Sequence, residues 1–180
     1  MKKAIVFLAE GFEEIEALTI VDVLRRGGVE VTTVSVTEDP YVLGAHNVEV
    51  LADADNEYDV SDADMVVLPG GMPGALNLRQ SLMVCDAVTD FAAAGKLVGA
   101  ICAAPFVLGE LGVLKGKKAT CYPGFEDKLQ GAAYTATRVQ RDGNIITGNG
   151  PSSALPFALA LLAAIADEET AQQVADGMLV

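Results

Sequence analysis

Short apolar runs alternate along the chain with segments in which apolar residues recur every three to four positions. Several of these runs are apolar throughout, which is typical of parallel strands buried on both faces. The predicted strands are Lys3–Leu8, Val29–Val36, Val48–Leu51, Asp64–Leu68, Leu97–Ile101 and Lys118–Tyr122. The predicted helices are Glu13–Arg26, Ser81–Ala94, Phe106–Leu111, Ser153–Ala166 and Glu168–Asp176. This alternation predicts an α/β fold, in which a mostly parallel sheet is covered by helices on both faces.

One segment departs from the parallel pattern. Arg138–Thr147 consists of two short runs around Asp142-Gly143, which predicts an antiparallel hairpin with an Asp-Gly turn. No repeat, low-complexity tract or linker interrupts the chain. Its 180 residues therefore suit a single domain over residues 1–180, large enough to bury a substantial core.

Composition excludes several kinds of protein. An apolar content of 51% excludes disorder, and 12 basic against 25 acidic residues give a net charge of −13. Because such a surface repels phosphate backbones and anionic lipids, nucleic acid and membranes are not expected partners. The apolar run Ala154–Ala166 is too short to span a bilayer, and the N-terminus has no signal-peptide pattern.

The cysteine and histidine content limits redox and metal chemistry. Three widely spaced cysteines, Cys85, Cys102 and Cys121, favour a reducing cytoplasm over a disulfide framework. With His46 as the only histidine and no close Cys/His spacing, no metal site is predicted. The chain also lacks a P-loop and the dinucleotide fingerprint, so no cofactor is predicted.

Cys102 is the strongest candidate for a chemical role. The apolar strand Leu97–Ile101 runs directly into it, and Ala103-Ala104-Pro105 then opens a helix. A side chain at this junction lies at the carboxyl edge of the sheet, beside unpaired helix N-terminal amides that favour negative charge. We therefore expect its thiol to ionise more easily than a free cysteine. The alternative is that Cys102 is a small buried apolar residue, as Cys85 and Cys121 are interpreted to be.

A candidate acid–base group follows the first strand. Glu13 and Glu14 are interpreted as surface groups that stabilise the helix dipole. Glu16 differs because Ile20 and Val23 place it on or beside the core-facing stripe of the helix. Desolvation there raises the pKa of a carboxyl group, so that it can hold or exchange a proton near neutrality.

Three further positions are candidates of lower specificity. Gly70 and Gly71 follow a strand and can direct backbone amides into an oxyanion site, or they form a plain tight turn. Tyr122 lies where a base or orienting residue would be expected, although half-buried tyrosines are common. His46 lies in a polar loop and is interpreted as a surface residue.

Five motifs in this order and spacing resemble the ThiJ/PfpI superfamily, in the branch of the Parkinson-disease-associated protein deglycase. They are Glu10–Glu16, Val21–Gly28, Val66–Gly71, Ala100–Pro105 and Gly148–Ser153. The resemblance covers nearly the whole chain. It implies a flavodoxin-like three-layer sandwich, a reactive cysteine at a nucleophile elbow and a homodimer.

The resemblance also implies roles for individual residues. Cys102 corresponds to the oxidisable nucleophile of the family, and Glu16 to the carboxyl group that contacts it. Gly70 and Gly71 correspond to the oxyanion region, to which the Ala103 amide would add.

Two departures from the family and one conditional match affect these implied roles. Tyr122 stands where eukaryotic members commonly have a histidine, which leaves the third catalytic partner open. Ala103 stands where protease-like and chaperone-like relatives have a histidine, so a peptidase is not expected. His46 stands where the family often has a basic residue near the partner subunit's site, and both His46 and Tyr122 are candidate accessory residues.

The implied activity is a cofactor-free conversion of 2-oxoaldehydes to hydroxy acids, or the reversal of early protein glycation. The expected partners are therefore a small-molecule aldehyde or a glycated protein, together with a second copy of the chain. The alternative function is an oxidative-stress sensor in which Cys102 is oxidised to the sulfinate beside a protonated Glu16. A noncatalytic chaperone or interaction dimer is a third hypothesis, and it requires function to survive the loss of Cys102.

Overall fold

The computed structural model describes residues 1–180 and contains ten strands and six α-helices. The strands are β1 (Lys3–Leu8), β2 (Glu30–Ser35), β3 (Tyr41–Leu43), β4 (Glu49–Leu51), β5 (Met65–Leu68), β6 (Leu97–Ile101), β7 (Lys118–Ala119), β8 (Ala133–Tyr134), β9 (Val139–Asp142) and β10 (Ile145–Gly148). The helices are α1 (Glu14–Arg26), α2 (Gly74–Gln80), α3 (Leu82–Ala93), α4 (Pro105–Glu110), α5 (Ala154–Ile165) and α6 (Glu168–Gly177).

Six strands form the central sheet in the order β2-β1-β5-β6-β10-β9. All neighbours are parallel except β9 and β10, which pair antiparallel as a hairpin. The observed fold therefore confirms the predicted mostly parallel sheet and its hairpin.

The sheet separates two hydrophobic clusters, one on each face. Because successive strand residues point to opposite faces, Phe7 joins the cluster that packs under α2, α3 and α4. Val6 joins the cluster under α1, α5 and α6. A strand that contributes to both clusters must be apolar at every position, which explains the uninterrupted apolar runs in the sequence.

Some local predictions are wrong. The strand predicted over Lys118–Tyr122 is only two residues long, and it pairs with β8 outside the central sheet. The predicted Val48–Leu51 strand exists as β4, but it pairs with β3 in a separate hairpin that the sequence did not reveal. The predicted Asp142-Gly143 turn is displaced by one residue. Asp142 is still paired with Ile145, so the β9–β10 loop consists of Gly143, at a φ of +63°, and Asn144.

The order of the strands determines where chemistry can occur. β1, β5 and β6 are consecutive parallel neighbours, so their carboxyl ends meet at one edge of the sheet. The segments that follow β5 and β6 contain Gly70 and Cys102, and the segment after β1 leads into the first turn of α1, which contains Glu16. Open α/β sheets bind ligands at this edge. None of the six helices combines the length and the apolar composition needed to cross a membrane.

Candidate active site

Cys102 occupies a sharp turn between β6 and α4. Its φ of +64° is unusual for a residue with a side chain and costs about 1–3 kcal/mol, which the surrounding hydrogen bonds must offset. The Cys102 N–H donates to the Gly148 carbonyl at 2.9 Å, and the Ala104 N–H donates to the Ile101 carbonyl at 3.0 Å. The turn holds the thiol at the sheet edge, where the residue is only 8% exposed.

Glu16 lies fully buried in the first turn of α1. Its Oε2 accepts a 2.7 Å hydrogen bond from the Gly70 N–H, while Oε1 has no hydrogen-bond partner. Burial raises the pKa of Glu16 to about 7, and the negative charge of Glu13 adds to this effect. The Gly70 amide and the Cys102 thiol act in the opposite direction. The sequence-based expectation of a carboxyl group that titrates near neutrality is therefore supported.

Gly70 brings Glu16 and Cys102 together. A β-carbon at Gly70 would lie 2.5 Å from the Cys102 β-carbon and 2.7 Å from Glu16 Oε2, so no side chain fits between them. The thiol and the carboxyl group therefore lie side by side, and each changes the pKa of the other. Residues that are 86 positions apart in the sequence thus form one ionisable pair.

The ionisation of the thiol differs from the sequence-based expectation. Burial first, and the Glu16 carboxylate second, raise the pKa of the Cys102 thiol to about 12, although the Gly71 and Ala103 amides act to lower it. The expectation of an easily ionised thiol is wrong because it counted the amides and omitted the burial and the carboxylate. Since Glu16 loses a proton near pH 7, the pair as a whole carries one negative charge and one proton above neutrality.

Two backbone amides, those of Gly71 and Ala103, face the Cys102 sulfur. These donors can stabilise negative charge on the sulfur, or on an oxygen bound next to it. The Gly70 amide cannot serve in this way because it is bound to Glu16. Gly70 therefore orients the carboxyl group, which corrects the prediction that its amide belongs to the oxyanion site.

Tyr122 adjoins the nucleophile through its backbone. Its N–H donates to the Cys102 carbonyl at 2.8 Å, whereas the preceding Cys121 is fully buried in the core. The Tyr122 side chain faces Gly150, where an added β-carbon would lie 3.2 Å from the ring. The residue is 46% exposed, which agrees with the expectation of a half-buried tyrosine. Its hydroxyl has no hydrogen bond to Glu16 or Cys102.

A second polar cluster, which the sequence did not reveal, lies at the start of α1. Glu14 is only 8% exposed, and its carboxylate accepts hydrogen bonds from the His46 N–H at 2.7 Å and the Val48 N–H at 3.4 Å. His46 Nδ1 lies 2.8 Å from Glu14 Oε2 and 3.7 Å from Glu13 Oε2. The interpretation of Glu13 and Glu14 as ordinary surface groups is therefore wrong. No local pattern signals a contact between residues 32 positions apart.

Charge explains this cluster without a metal ion. Burial acts to raise the pKa of Glu14, but the hydrogen bonds from His46 and the backbone outweigh it and lower the pKa. The hydrogen bond to Glu14, followed by the charges of Glu13 and Glu14, raises the pKa of His46. The ligand-type atoms of Glu13, Glu14 and His46 lie within 4.8 Å of one another, with His46 hydrogen-bonded to Glu14 and 3.7 Å from Glu13 Oε2.

Comparison with known proteins gives consistent results over nearly the whole chain. A model described as the DJ-1/PfpI family matches residues 2–164. Protein dj-1beta of Drosophila melanogaster is 40% identical over 182 residues, which cover 99% of this chain and 97% of that protein. The Parkinson disease protein 7 homolog of Danio rerio is 37% identical over 178 residues, which cover 96% of this chain and 94% of that protein. The structure of oxidized DJ-1 from Toxoplasma gondii matches with a TM-score of 0.95 and 39% identity, covering 99% of this chain and 98% of that one.

Proposed function

This chain belongs to the DJ-1/PfpI family, and on that premise we propose that it is a cofactor-independent, cysteine-dependent enzyme acting on 2-oxoaldehydes or early glycation adducts. The observation that carries the proposal is the position of the Cys102 sulfur beside a carboxyl group whose pKa is raised to about 7 and beside the Gly71 and Ala103 amides. Attack on a carbonyl carbon needs these three elements: a nucleophile, a proton carrier and an oxyanion site.

The reaction of methylglyoxal illustrates the proposed chemistry. In the singly charged pair, the Glu16 carboxylate takes the proton from the Cys102 thiol as the sulfur adds to the aldehyde carbon. The Gly71 and Ala103 amides stabilise the oxyanion, which takes the proton from Glu16 to give a hemithioacetal. The Glu16 carboxylate then removes the hydrogen from that carbon and returns it to the neighbouring ketone carbon, while the hemithioacetal hydroxyl proton passes to the ketone oxygen. One carbon is oxidised and the other reduced, so no external oxidant is needed.

Hydrolysis completes the proposed cycle. The rearranged intermediate is a thioester of lactic acid on Cys102. Water attacks its carbonyl carbon, the carbon–sulfur bond breaks, and lactate leaves with the thiol–carboxyl pair restored.

The first prediction tests this activity directly. Purified protein incubated with methylglyoxal and no added cofactor is expected to produce lactate, measured by chromatography. Because the sulfur forms the covalent intermediate, Cys102→Ala is expected to reduce the rate by about 1,000-fold or more. Cys85→Ala, which removes a partly exposed thiol of α3, is the matched control and should retain the wild-type rate. Lactate production by the wild type no faster than by Cys102→Ala would contradict the proposal.

A second function, oxidative sensing through Cys102, is favoured by the same surroundings. Hydrogen peroxide can oxidise the thiolate first to the sulfenate and then to the sulfinate, releasing one water molecule at each step. The sulfinate oxygens would accept hydrogen bonds from the Gly71 and Ala103 amides and from a protonated Glu16. The matching Toxoplasma gondii DJ-1 structure is described as oxidized, which supports this candidate.

The second prediction concerns the selectivity of that oxidation. Limited peroxide treatment is expected to add two oxygen atoms to the intact mass, and peptide mass spectrometry should locate both on Cys102. Cys121 is fully buried without comparable donors, and Cys85 is partly buried, so they serve as internal controls. Oxidation distributed over all three thiols would argue against a sensor.

We further propose that the chain acts as a homodimer in a reducing, cytoplasmic compartment. Its three thiols are free, which supports a reducing environment. Exposed apolar side chains on α1 and the β3–β4 hairpin, namely Ile15, Leu18, Val48 and Leu51, support an interface there. The molecular mass in solution, measured by sedimentation equilibrium, tests the association.

A further inference from the structure

Cys102 is held in its strained conformation by two backbone hydrogen bonds, one on each side of its side chain. Its N–H donates to the Gly148 carbonyl at 2.9 Å, and its carbonyl accepts from the Tyr122 N–H at 2.8 Å. Both partners adjoin one loop, the Asn149–Ser153 loop. Gly148 directly precedes this loop, and Gly150 within it faces the Tyr122 ring, 3.2 Å from which an added β-carbon would lie. The position of the loop therefore bears on both backbone anchors of the nucleophile.

Arg138, which directly precedes β9, fixes the loop from outside. Its guanidinium donates to the Ser153 hydroxyl at 3.2 Å and also to the Ser152 carbonyl. Its own carbonyl accepts a 3.0 Å hydrogen bond from the Asn149 N–H. Within the loop, the Ser153 hydroxyl donates to Asn149 Oδ1 at 2.6 Å, and the Ser153 N–H donates to the Gly150 carbonyl at 2.9 Å. Together these hydrogen bonds tie the loop to the start of β9 and close it on itself.

The network forgoes contacts that ordinarily stabilise a helix such as α5. Ser153 occupies the N-cap of α5, yet its hydroxyl caps no helical N–H and is bound to Asn149 and Arg138 instead. The Arg138 guanidinium also places a positive charge beside the helix N-terminus, where the helix dipole disfavours a cation. Departures from the locally favoured arrangement are concentrated at functional sites. The network therefore serves the position of the loop rather than the stability of α5.

We propose that Arg138 and Ser153 are positioning residues for Cys102, because they hold the Asn149–Ser153 loop and, through it, the backbone of the nucleophile. The inference rests on the proposed function, since it takes Cys102 to be the nucleophile. It goes beyond that function by giving a role to side chains that make no hydrogen bond to the sulfur or to Glu16. When the network is broken, the loop moves, both backbone anchors weaken, and Cys102 relaxes from its positive φ. The sulfur then leaves its place beside Glu16.

The third prediction is a local loosening of the Cys102 turn in Arg138→Ala. Hydrogen exchange of single amides is followed by NMR on isotope-labelled protein. The Cys102 and Tyr122 amides are expected to exchange faster than in the wild type by about 10-fold or more, because the partner of each loses its support. The amides of β1 and β5 should keep their rates. Ser153→Ala, which removes the central hydroxyl of the network, is the second variant and is expected to have the same effect.

Arg141→Ala is the matched control. Arg141 lies in β9, and its side chain donates to the Gly143 carbonyl at 3.2 Å, at the far end of the strand from Arg138. Its removal should leave exchange at Cys102 and Tyr122 unchanged. Wild-type exchange at these two amides in both test variants would overturn the proposal. Faster exchange by the same factor throughout the sheet would also overturn it, because that result shows only a general loss of stability.

Turnover supplies a readout that a purely structural role would not change. In the methylglyoxal assay, Arg138→Ala and Ser153→Ala are expected to lower kcat by about 10-fold to 100-fold and to change KM by less than about twofold. The reason is that a misaligned nucleophile slows the chemical step and leaves substrate binding intact. Arg138→Lys, which keeps one charged donor for the loop, should regain part of the lost kcat. A loss confined to KM would contradict a positioning role.

The loop also borders the face proposed as the dimer interface, since Pro151 lies around the same surface cavity as Ile15 and Val48. The hydrogen bonds of the network are all within one chain, so the inference does not depend on the exposure of that face. Sedimentation equilibrium is measured on each variant. A fall in kcat that accompanies dissociation, with unchanged exchange at Cys102, would overturn the inference.

Amide exchange keeps this inference separate from the proposed enzyme, because it requires no turnover. Faster exchange at Cys102 in variants of a protein that makes no lactate would remove the enzymatic proposal and retain the positioning of the cysteine. Lactate production by the wild type, with unchanged exchange in the variants, would retain the enzyme and remove the positioning role.

Discussion

Glu16→Gln is expected to reduce activity and to increase stability, and the gain in stability should depend on pH. Glutamine can still accept the Gly70 hydrogen bond, but it cannot carry a proton between two carbons. Loss of a general acid–base group typically lowers the rate by about 100-fold to 10,000-fold. We expect lactate formation by Glu16→Gln to fall within that range, measured in the cofactor-free assay with methylglyoxal.

The effect on stability follows from the raised pKa of Glu16. The pKa of this carboxyl group rises from 4.5 in the unfolded chain to about 7 in the folded protein. The protonated group therefore makes its full contribution to the free energy of unfolding below pH 4.5. That stability is lost as the pH rises through about 7, because folding must then bury a charge. Glutamine stays neutral, so at pH 8 the variant is expected to be more stable than the wild type by about 3 kcal/mol. The two proteins should have similar stability near pH 4.5.

Urea unfolding at both pH values measures this difference. The control Glu30→Gln removes a carboxyl group from an exposed position of β2, and its effect should stay within about 0.5 kcal/mol at either pH. A Glu16→Gln protein that is less stable than the wild type at pH 8 would show that the buried carboxylate is a net stabilising group. Cys102 should also ionise more readily in the variant than in the wild type, because the charge of Glu16 contributes to raising the pKa of the thiol.

The features predicted correctly from the sequence are those that depend on local patterns. Uninterrupted apolar runs identified the buried strands, and the spacing of Ile20 and Val23 identified Glu16 as a core-facing carboxyl group. Both residues are fully buried in the structure, as is Glu16 itself. Cys102 was identified by its position between a strand and a helix, because chain direction alone places such a residue at the carboxyl edge of a parallel sheet.

The features that were missed depend on residues far apart in the chain. The Gly70 amide binds a carboxylate 54 positions away, and His46 binds Glu14 across 32 positions. The pKa of the Cys102 thiol depends on burial, which a local sequence pattern does not give. A few residues are enough to recognise a helix N-terminus. They do not reveal the desolvation, which here raises the pKa of the thiol more than the nearby amides lower it.

Gly70→Ala is expected to disable the site by steric conflict at the point where Glu16 and Cys102 meet. The new β-carbon would lie 2.5 Å from the Cys102 β-carbon, 2.7 Å from Glu16 Oε2 and 2.9 Å from the Ile101 carbonyl oxygen. Rotation of a flexible side chain cannot relieve the first and last of these contacts. The backbone must therefore move, which separates the carboxyl group from the sulfur and removes the Gly70 hydrogen bond. We expect a loss of about 1–3 kcal/mol in unfolding free energy and a fall in lactate formation of at least about 100-fold.

The control for this substitution is Gly177→Ala at the end of α6, where no atom lies within 4 Å of the added β-carbon. Neither glycine has a positive φ, so backbone strain does not distinguish the two sites and the comparison isolates the effect of space. Gly177→Ala is expected to keep full activity and to gain up to about 1 kcal/mol, because alanine is the better helix former. Urea unfolding and lactate formation are measured on both variants. A Gly70→Ala protein with wild-type activity would mean that the carboxyl group and the sulfur need not touch, and the proposed proton exchange between them would then be wrong.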